Sequence, residues 1–405
     1  MLKITDVRTV LLTGPLTGDP YILELRQRRS AAFIEIHTDC EHTGIAETYA
    51  GYFCPEMVPA IVDFFRPILI GQTPDDVPEL WRRMYHCGNF WCRVGLGASV
   101  LGGIEAALWD LKGKSDGVPV YRLLGGGGCA TKLPAYATGG PSNYPESKLA
   151  SKIDYYLSLG FTALKIAAGR LDANGFTVDS DPWKAADFEG AKLRFVRSHA
   201  GSDLGLMLDA HMGNSHSVTW TLETALAVAR AAEPYGLIFL EEPLPYTDVT
   251  CYSSLCERTE TPIAGGECLT ALCEWQTFAD GACFDLGQPD ASFLSGLSQF
   301  LNVAQLMKRD GRQIATHAWG AGGSLMQNIH CAFAAPNTRI LEVPPNFGPL
   351  HTEIVEGSFA MENGFVLRPE SPGLGIKLTD ATKNRYPFVP GSGEFNSVPG
   401  KVLVG

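Results

Sequence analysis

Apolar and polar residues alternate along 2–12 and 31–38, the pattern of half-buried antiparallel strands. Between them, 13–30 is punctuated by Gly and Pro and reads as a loop, as does 47–53. The period then changes. Apolar residues recur at helical spacing over 55–68, 77–84 and 94–116, the last followed by a glycine. The first 128 residues therefore read as an α+β domain. Gly125 to Gly128 follow a helix rather than a strand, and no Lys-Ser/Thr pair comes after them. They read as a helix stop and linker, not as a phosphate loop.

From residue 133 strand-like and helix-like stretches alternate strictly. Short apolar runs at 133–138, 163–168, 204–210, 237–242, 262–267, 284–290, 313–317 and 339–343 read as strands buried on both faces. Helical patterns lie between them, for example at 146–159, 183–198, 222–232 and 297–309. Seven or eight such units in roughly 210 residues fit a closed β/α barrel of the TIM type better than an open sheet. After residue 343 the regularity ends, and the tail is expected to fold back onto the first domain. The division predicted is 1–128, 129–345 and 346–405.

Composition narrows the function. The chain has 405 residues, enough for two domains and a large core. A formal net charge of −12 makes nucleic acid or an anionic membrane surface an unsuitable partner. No apolar run approaches the ~20 residues of a membrane span, and the N-terminus has no signal-peptide core. The 11 cysteines form no Cys-x-x-Cys and read as reduced thiols, so the expected compartment is the cytoplasm.

The chemistry sits at the strand ends. The run Leu-Ile-Phe-Leu-Glu-Glu-Pro ends in Glu241 and Glu242, its upstream neighbour ends near Asp209, and its downstream neighbour ends in Glu267. Any one of these acids alone reads as a helix cap or a solvated loop residue. Together, on three consecutive parallel strands, Asp209, Glu241 and Glu267 predict a cation site. An all-carboxylate set selects Mg²⁺ before Mn²⁺ and well before Zn²⁺. Strand alternation turns Glu242 away from Glu241, though a bulge at the strand end would swap the two. Asp290 and His317 end the next two strands. A carboxylate there fixes the tautomer of an imidazole and gives a base that titrates near neutrality. Lys165, in Ala-Leu-Lys-Ile-Ala-Ala-Gly, points into the barrel mouth or snorkels to solvent. His211 shares a face with Asp209 and either donates a proton to a leaving group or lines the site. Glu342 ends the last strand and either hydrogen-bonds a substrate oxygen or sits on the rim.

These residues together resemble the enolase superfamily and, within it, the mandelate racemase subgroup, over nearly the whole chain. The resemblance implies a modified (β/α) barrel under an N-terminal α+β capping domain. It implies Mg²⁺ on Asp209, Glu241 and Glu267, and a base formed by Asp290 and His317. It also places Glu342 on the substrate carboxylate, with loops 13–30 and 47–53 closing over the substrate. One departure matters. The subgroup carries Lys-x-Lys on the second strand, whereas this chain has Lys165-Ile166-Ala167. Racemisation needs acid/base groups on both faces of the α-carbon, and Ala167 removes one. The expectation is a Mg²⁺-dependent acid-sugar dehydratase, with Lys165 helping to stabilise the enediolate and Glu342, if protonated, donating to it. The alternatives are a racemase, epimerase or cycloisomerase on the same scaffold, and a non-catalytic hydroxy-acid binder. The expected partner is a small sugar acid, and barrels of this kind commonly form homo-oligomers.

Overall fold

The structure, a computed structural model, describes residues 2–22, 27–128, 130–139, 144–169, 181–214, 219–345, 348–355 and 357–393. Parts of the expected loop 13–30 and of the tail 346–405 lie outside the described residues.

The N-terminal sheet is an antiparallel meander of β1 (Ile4–Pro15), β2 (Arg28–Thr38) and β3 (Thr43–Thr48). β1 and β2 each reach further into 13–30 than the Gly/Pro punctuation suggests, pairing as far as Pro15 and Arg28. β3 falls where no strand was expected. Its Gly44 explains how it fits: a Cβ there would meet the Ala107 carbonyl at 2.2 Å, so only glycine lets helix Leu96–Asp116 lie this close. Asp110 on that helix accepts from Ile45 N at 2.7 Å and from Leu374 N at 2.6 Å. One buried carboxylate thereby joins sheet, helix and tail. Instead of a loop throughout 47–53, Glu47 and Thr48 close β3, and Ala50–Phe53 forms a helical turn.

The second unit is a closed barrel of eight parallel strands. They are β4 (Lys132–Ala137), β5 (Ala163–Ala167), β6 (Gly205–Asp209), β7 (Phe239–Glu241), β8 (Ile263–Gly265), β9 (Leu286–Gly287), β10 (Gln313–Ala315) and β11 (Thr338–Val343). Each pairs with the next, and β11 closes onto β4. Every strand sends one side chain into a common interior cluster: Tyr136, Ala163, Met207, Phe239, Ala264, Leu286, Ala315 and Ile340. This apolar plug fills the barrel, leaving chemistry to the strand ends above it. The tail adds hairpin β12 (Met361–Glu362) and β13 (Phe365–Leu367) antiparallel to β4, and Pro387 bridges to Leu12 of β1. Among the described residues no helix is long and apolar enough to cross a membrane. The ten described cysteines are free thiols.

Candidate active site

A strand's period of two carries the plug upward into the site. Two residues beyond Ala163, Met207, Phe239, Ala315 and Ile340 stand Lys165, Asp209, Glu241, His317 and Glu342, all buried. Five strands thus deliver ionisable groups to one level above an apolar floor. β9 and β10 end earlier than the apolar runs 284–290 and 313–317 imply, so Asp290 and His317 lie just past their strands.

Lys165 stands at the centre. Its ammonium donates to both oxygens of Glu241 at 2.8 Å, and lies 3.0 Å from Asp209 Oδ2 and 3.2 Å from Glu342 Oε1. Burial works against its charge, but these three carboxylates hold it well above the ordinary lysine value. It points inward rather than snorkelling, and three carboxylates share it. In this arrangement it is the counter-charge of the acids.

The acids outnumber it. Burial first, then neighbouring carboxylates, push Asp209 up to about 6 and Glu241 to about 7, and Glu267 is raised for the same reasons. Asp209 and Glu241 meet at Lys165 Nζ, while Glu267 lies against His317 Nε2 at 3.5 Å. Clustered, buried, mutually repelling oxygen donors fit a hard divalent cation. Among the described residues, however, the group whose ligand atoms all lie within 4.8 Å of one another is Glu242, Glu267 and Cys268. Glu242 accounts for this. It leaves β7 in the left-handed region (φ 44°), and its carboxylate accepts from Tyr246 Oη. Its Oε2 is buried with no hydrogen-bond partner. The expected trio is thus brought together as two plus one, with Glu242 beside the third.

His211 also adopts a left-handed backbone (φ 51°), and the two turns are tied by Met212 N donating to the Glu242 carbonyl at 2.9 Å. Its Nδ1 lies 3.2 Å from Asp209 Oδ1, and 45% of its side chain is exposed, so it can exchange protons with the mouth. His317 differs: it is buried, with Nδ1 2.8 Å from Asp290 Oδ2. Asp290 Oδ1 is held in turn by Ser292 N and Oγ at 2.7 and 2.6 Å and by Asn328 Nδ2 at 2.9 Å. The dyad geometry agrees with expectation, but the near-neutral titration does not. Burial pulls the imidazole down, yet Glu267, Asp290 and Glu342 together push it up to about 10. Glu342 is pulled the other way. Burial raises its carboxyl, but Lys165, His317 and the Ala318 N–H, at 2.7 Å, hold it below the usual carboxylate range. The ionised form this favours accepts hydrogen bonds; donation to an enediolate would need the protonated form.

Sequence reasoning passed over Gln288, which stands two residues beyond Leu286 on the inward face of β9. It is fully buried, with neither amide atom hydrogen-bonded. The signal was present, since a glutamine two steps beyond an apolar strand residue shares its face.

A pH dependence follows. Asp209 and Glu241 keep protons in the fold up to pH 6–7 that the unfolded chain releases near pH 4. Folding therefore loses their contribution as pH rises through that window. The contribution of His317 is complete below its unfolded value near 6.5 and is lost as pH rises through about 10. A divalent ion that replaces these protons stabilises most where they have left. At about 100 Kd of free Mg²⁺ the gain is roughly 2.7 kcal/mol. Calorimetry is expected to show a larger Mg²⁺-induced rise in Tm at pH 8 than at pH 5.5. Equal increments would contradict this assignment of buried protons.

Comparisons with known proteins agree with the architecture. Residues 13–125 match the mandelate racemase/muconate lactonizing enzyme N-terminal domain, and residues 148–382 match the enolase C-terminal domain-like family. The chain is 29% identical to the arabinonate dehydratase of Saccharolobus solfataricus, across 87% of this chain and 89% of that one. It is 30% identical to the D-galactarolactone cycloisomerase of Agrobacterium fabrum, across 93% and 97%. Among solved structures it resembles an L-talarate dehydratase from a Polaromonas species, complexed with Mg and L-glucarate. That likeness has a TM-score of 0.79 and 27% identity, and covers 95% of this chain and 97% of that one.

Proposed function

The chain belongs to the mandelate racemase/muconate lactonizing enzyme family of enolase-like proteins, and on that premise we propose that it is a Mg²⁺-dependent dehydratase of a sugar acid. The observation that carries the reading is the Asp290–His317 pair at 2.8 Å facing buried acids, with an alanine at 167 where a second base would stand. Relatives acting as dehydratases on sugar acids support it.

His317 Nε2 removes the proton α to the substrate carboxylate, and the C–H electron pair passes into an enediolate. Asp290 holds the tautomer that leaves Nε2 available to accept it. Mg²⁺ held by Asp209, Glu241 and Glu267 would supply the positive charge that opposes the enediolate and offsets the acids that keep His317 protonated. As the enediolate collapses, the C3–O bond breaks and the hydroxyl leaves as water, protonated by His211 or by His317. The resulting enol takes up a proton to give a 2-keto-3-deoxy acid. His211 suits the acid's role because it is half-exposed at the mouth.

Incubation of the Mg²⁺-loaded protein with a panel of mono- and diacid sugars, scoring 2-keto product, tests this. A 2-keto-3-deoxy acid from at least one member is expected. A cycloisomerase is the second reading, favoured by the 30%-identical galactarolactone enzyme. A product of unchanged mass that is not simply the substrate's C2 epimer would establish it instead, and no α-proton exchange with any sugar acid would leave a non-catalytic binder.

A further inference from the structure

Three of the four residues after His317 are held by the N-terminal sheet domain. Arg29, on β2, reaches across the domain boundary and donates through Nη1 to the carbonyls of Trp319, at 2.6 Å, and Gly320. Its guanidinium lies between two rings, 5.1 Å from the centroids of Tyr52 and Trp319, and Trp319 Nε1 donates to Tyr52 Oη at 3.1 Å. From β3, Glu47 accepts from Ala321 N at 2.7 Å and Ser324 N at 2.8 Å. Gly320 and Gly323 have no room for a Cβ, because Glu47 atoms would stand 2.8 and 2.7 Å away. From the barrel side Glu342 holds Ala318 N, and from the N-terminal domain Tyr49 places its ring 5.5 Å from the His317 imidazole.

We propose that Arg29 is a positioning residue for the base: by gripping the Trp319 and Gly320 carbonyls it sets where His317 Nε2 stands over the substrate. The inference rests on the reading of His317 as the base. A planar, five-donor cation is suited to the task, because it binds two carbonyls while stacking between aromatic faces. A lysine keeps the charge but loses the stack. Proton abstraction depends steeply on placement, and a displacement of about 1 Å costs up to ~10²-fold in rate. The N-terminal domain therefore contributes to the chemical step.

The test uses the full-length protein and the variants Arg29→Ala, Arg29→Lys and His317→Asn, each checked for folding by near-ultraviolet circular dichroism. Two readouts are taken: the His317 ring signals in protein labelled with ¹⁵N-histidine, assigned by their loss in His317→Asn, and turnover of whichever sugar acid the panel identifies. Arg29→Lys and Arg29→Ala are expected to shift or broaden the ring Nδ1–H signal. They are also expected to lower kcat by about 10–100-fold with KM within about threefold, and added guanidinium should restore at least part of the kcat lost in Arg29→Ala. Should Arg29→Ala fail to fold, Arg29→Lys carries the test alone. An unmoved ring signal in folded variants would overturn the proposal with or without a known substrate, as would unchanged kcat while His317→Asn is inactive. Turnover surviving in His317→Asn would instead remove the base assignment itself.

Discussion

Replacement of His317 by Asn is expected to lower turnover by ~10²–10⁴-fold, the usual worth of a positioned general base. His317 is buried between Asp290 and Glu267. Asparagine fills part of the same space, and its amide can satisfy the Asp290 carboxylate, so the surrounding Ser292 and Asn328 contacts are retained. Titration calorimetry should find that Mg²⁺ still binds, because the replaced group lies outside the proposed ligand set. Turnover within a few-fold of the parent would remove His317 from the mechanism.

Chelation is the second large effect. Stripping divalent ions is expected to reduce turnover to background, and Mg²⁺ to restore it. Buried carboxylates raised to about 6 and 7 show that Lys165 alone does not balance the acids around it. Without the extra charge His317 keeps its proton at neutral pH and has no capacity to accept one from the substrate. The nearby Glu242, Glu267 and Cys268 group offers a rival position. An ion bound there would gain a soft sulfur ligand, favouring Zn²⁺. Cys268→Ser is therefore expected to leave Mg²⁺ affinity unchanged within about twofold, and a tenfold or greater loss would move the ion to the rival group.

Most of the site was legible because a barrel strand repeats every two residues. Ala163, Met207, Phe239 and Ile340 mark the inward face, and Lys165, Asp209, Glu241 and Glu342 follow in register. The illegible parts depend on contacts between distant segments. β3 is only six residues long and owes its position to Gly44 under the Ala107 carbonyl. Glu47 and Arg29 act on the loop after β10, and nothing local in 27–48 points there. Helix Gly322–Ala334 begins with two glycines, poor helix formers: the close approach of the His351 carbonyl requires the first and that of Glu47 the second. The charge states of Lys165, Glu342 and His317 were the least legible, because they are set by a cluster that forms only when five strand ends meet.

The central claim is that Asp209, Glu241 and Glu267 converge on one divalent ion opposite His317. A crystal structure of the Mn²⁺-soaked protein, with the ion located by anomalous scattering, tests it most directly. A single Mn²⁺ ligated by one oxygen from each of these three carboxylates, with Lys165 displaced from at least one of them, is the expected result. Manganese held by Glu242, Glu267 and Cys268, or absent from the barrel mouth, would contradict it.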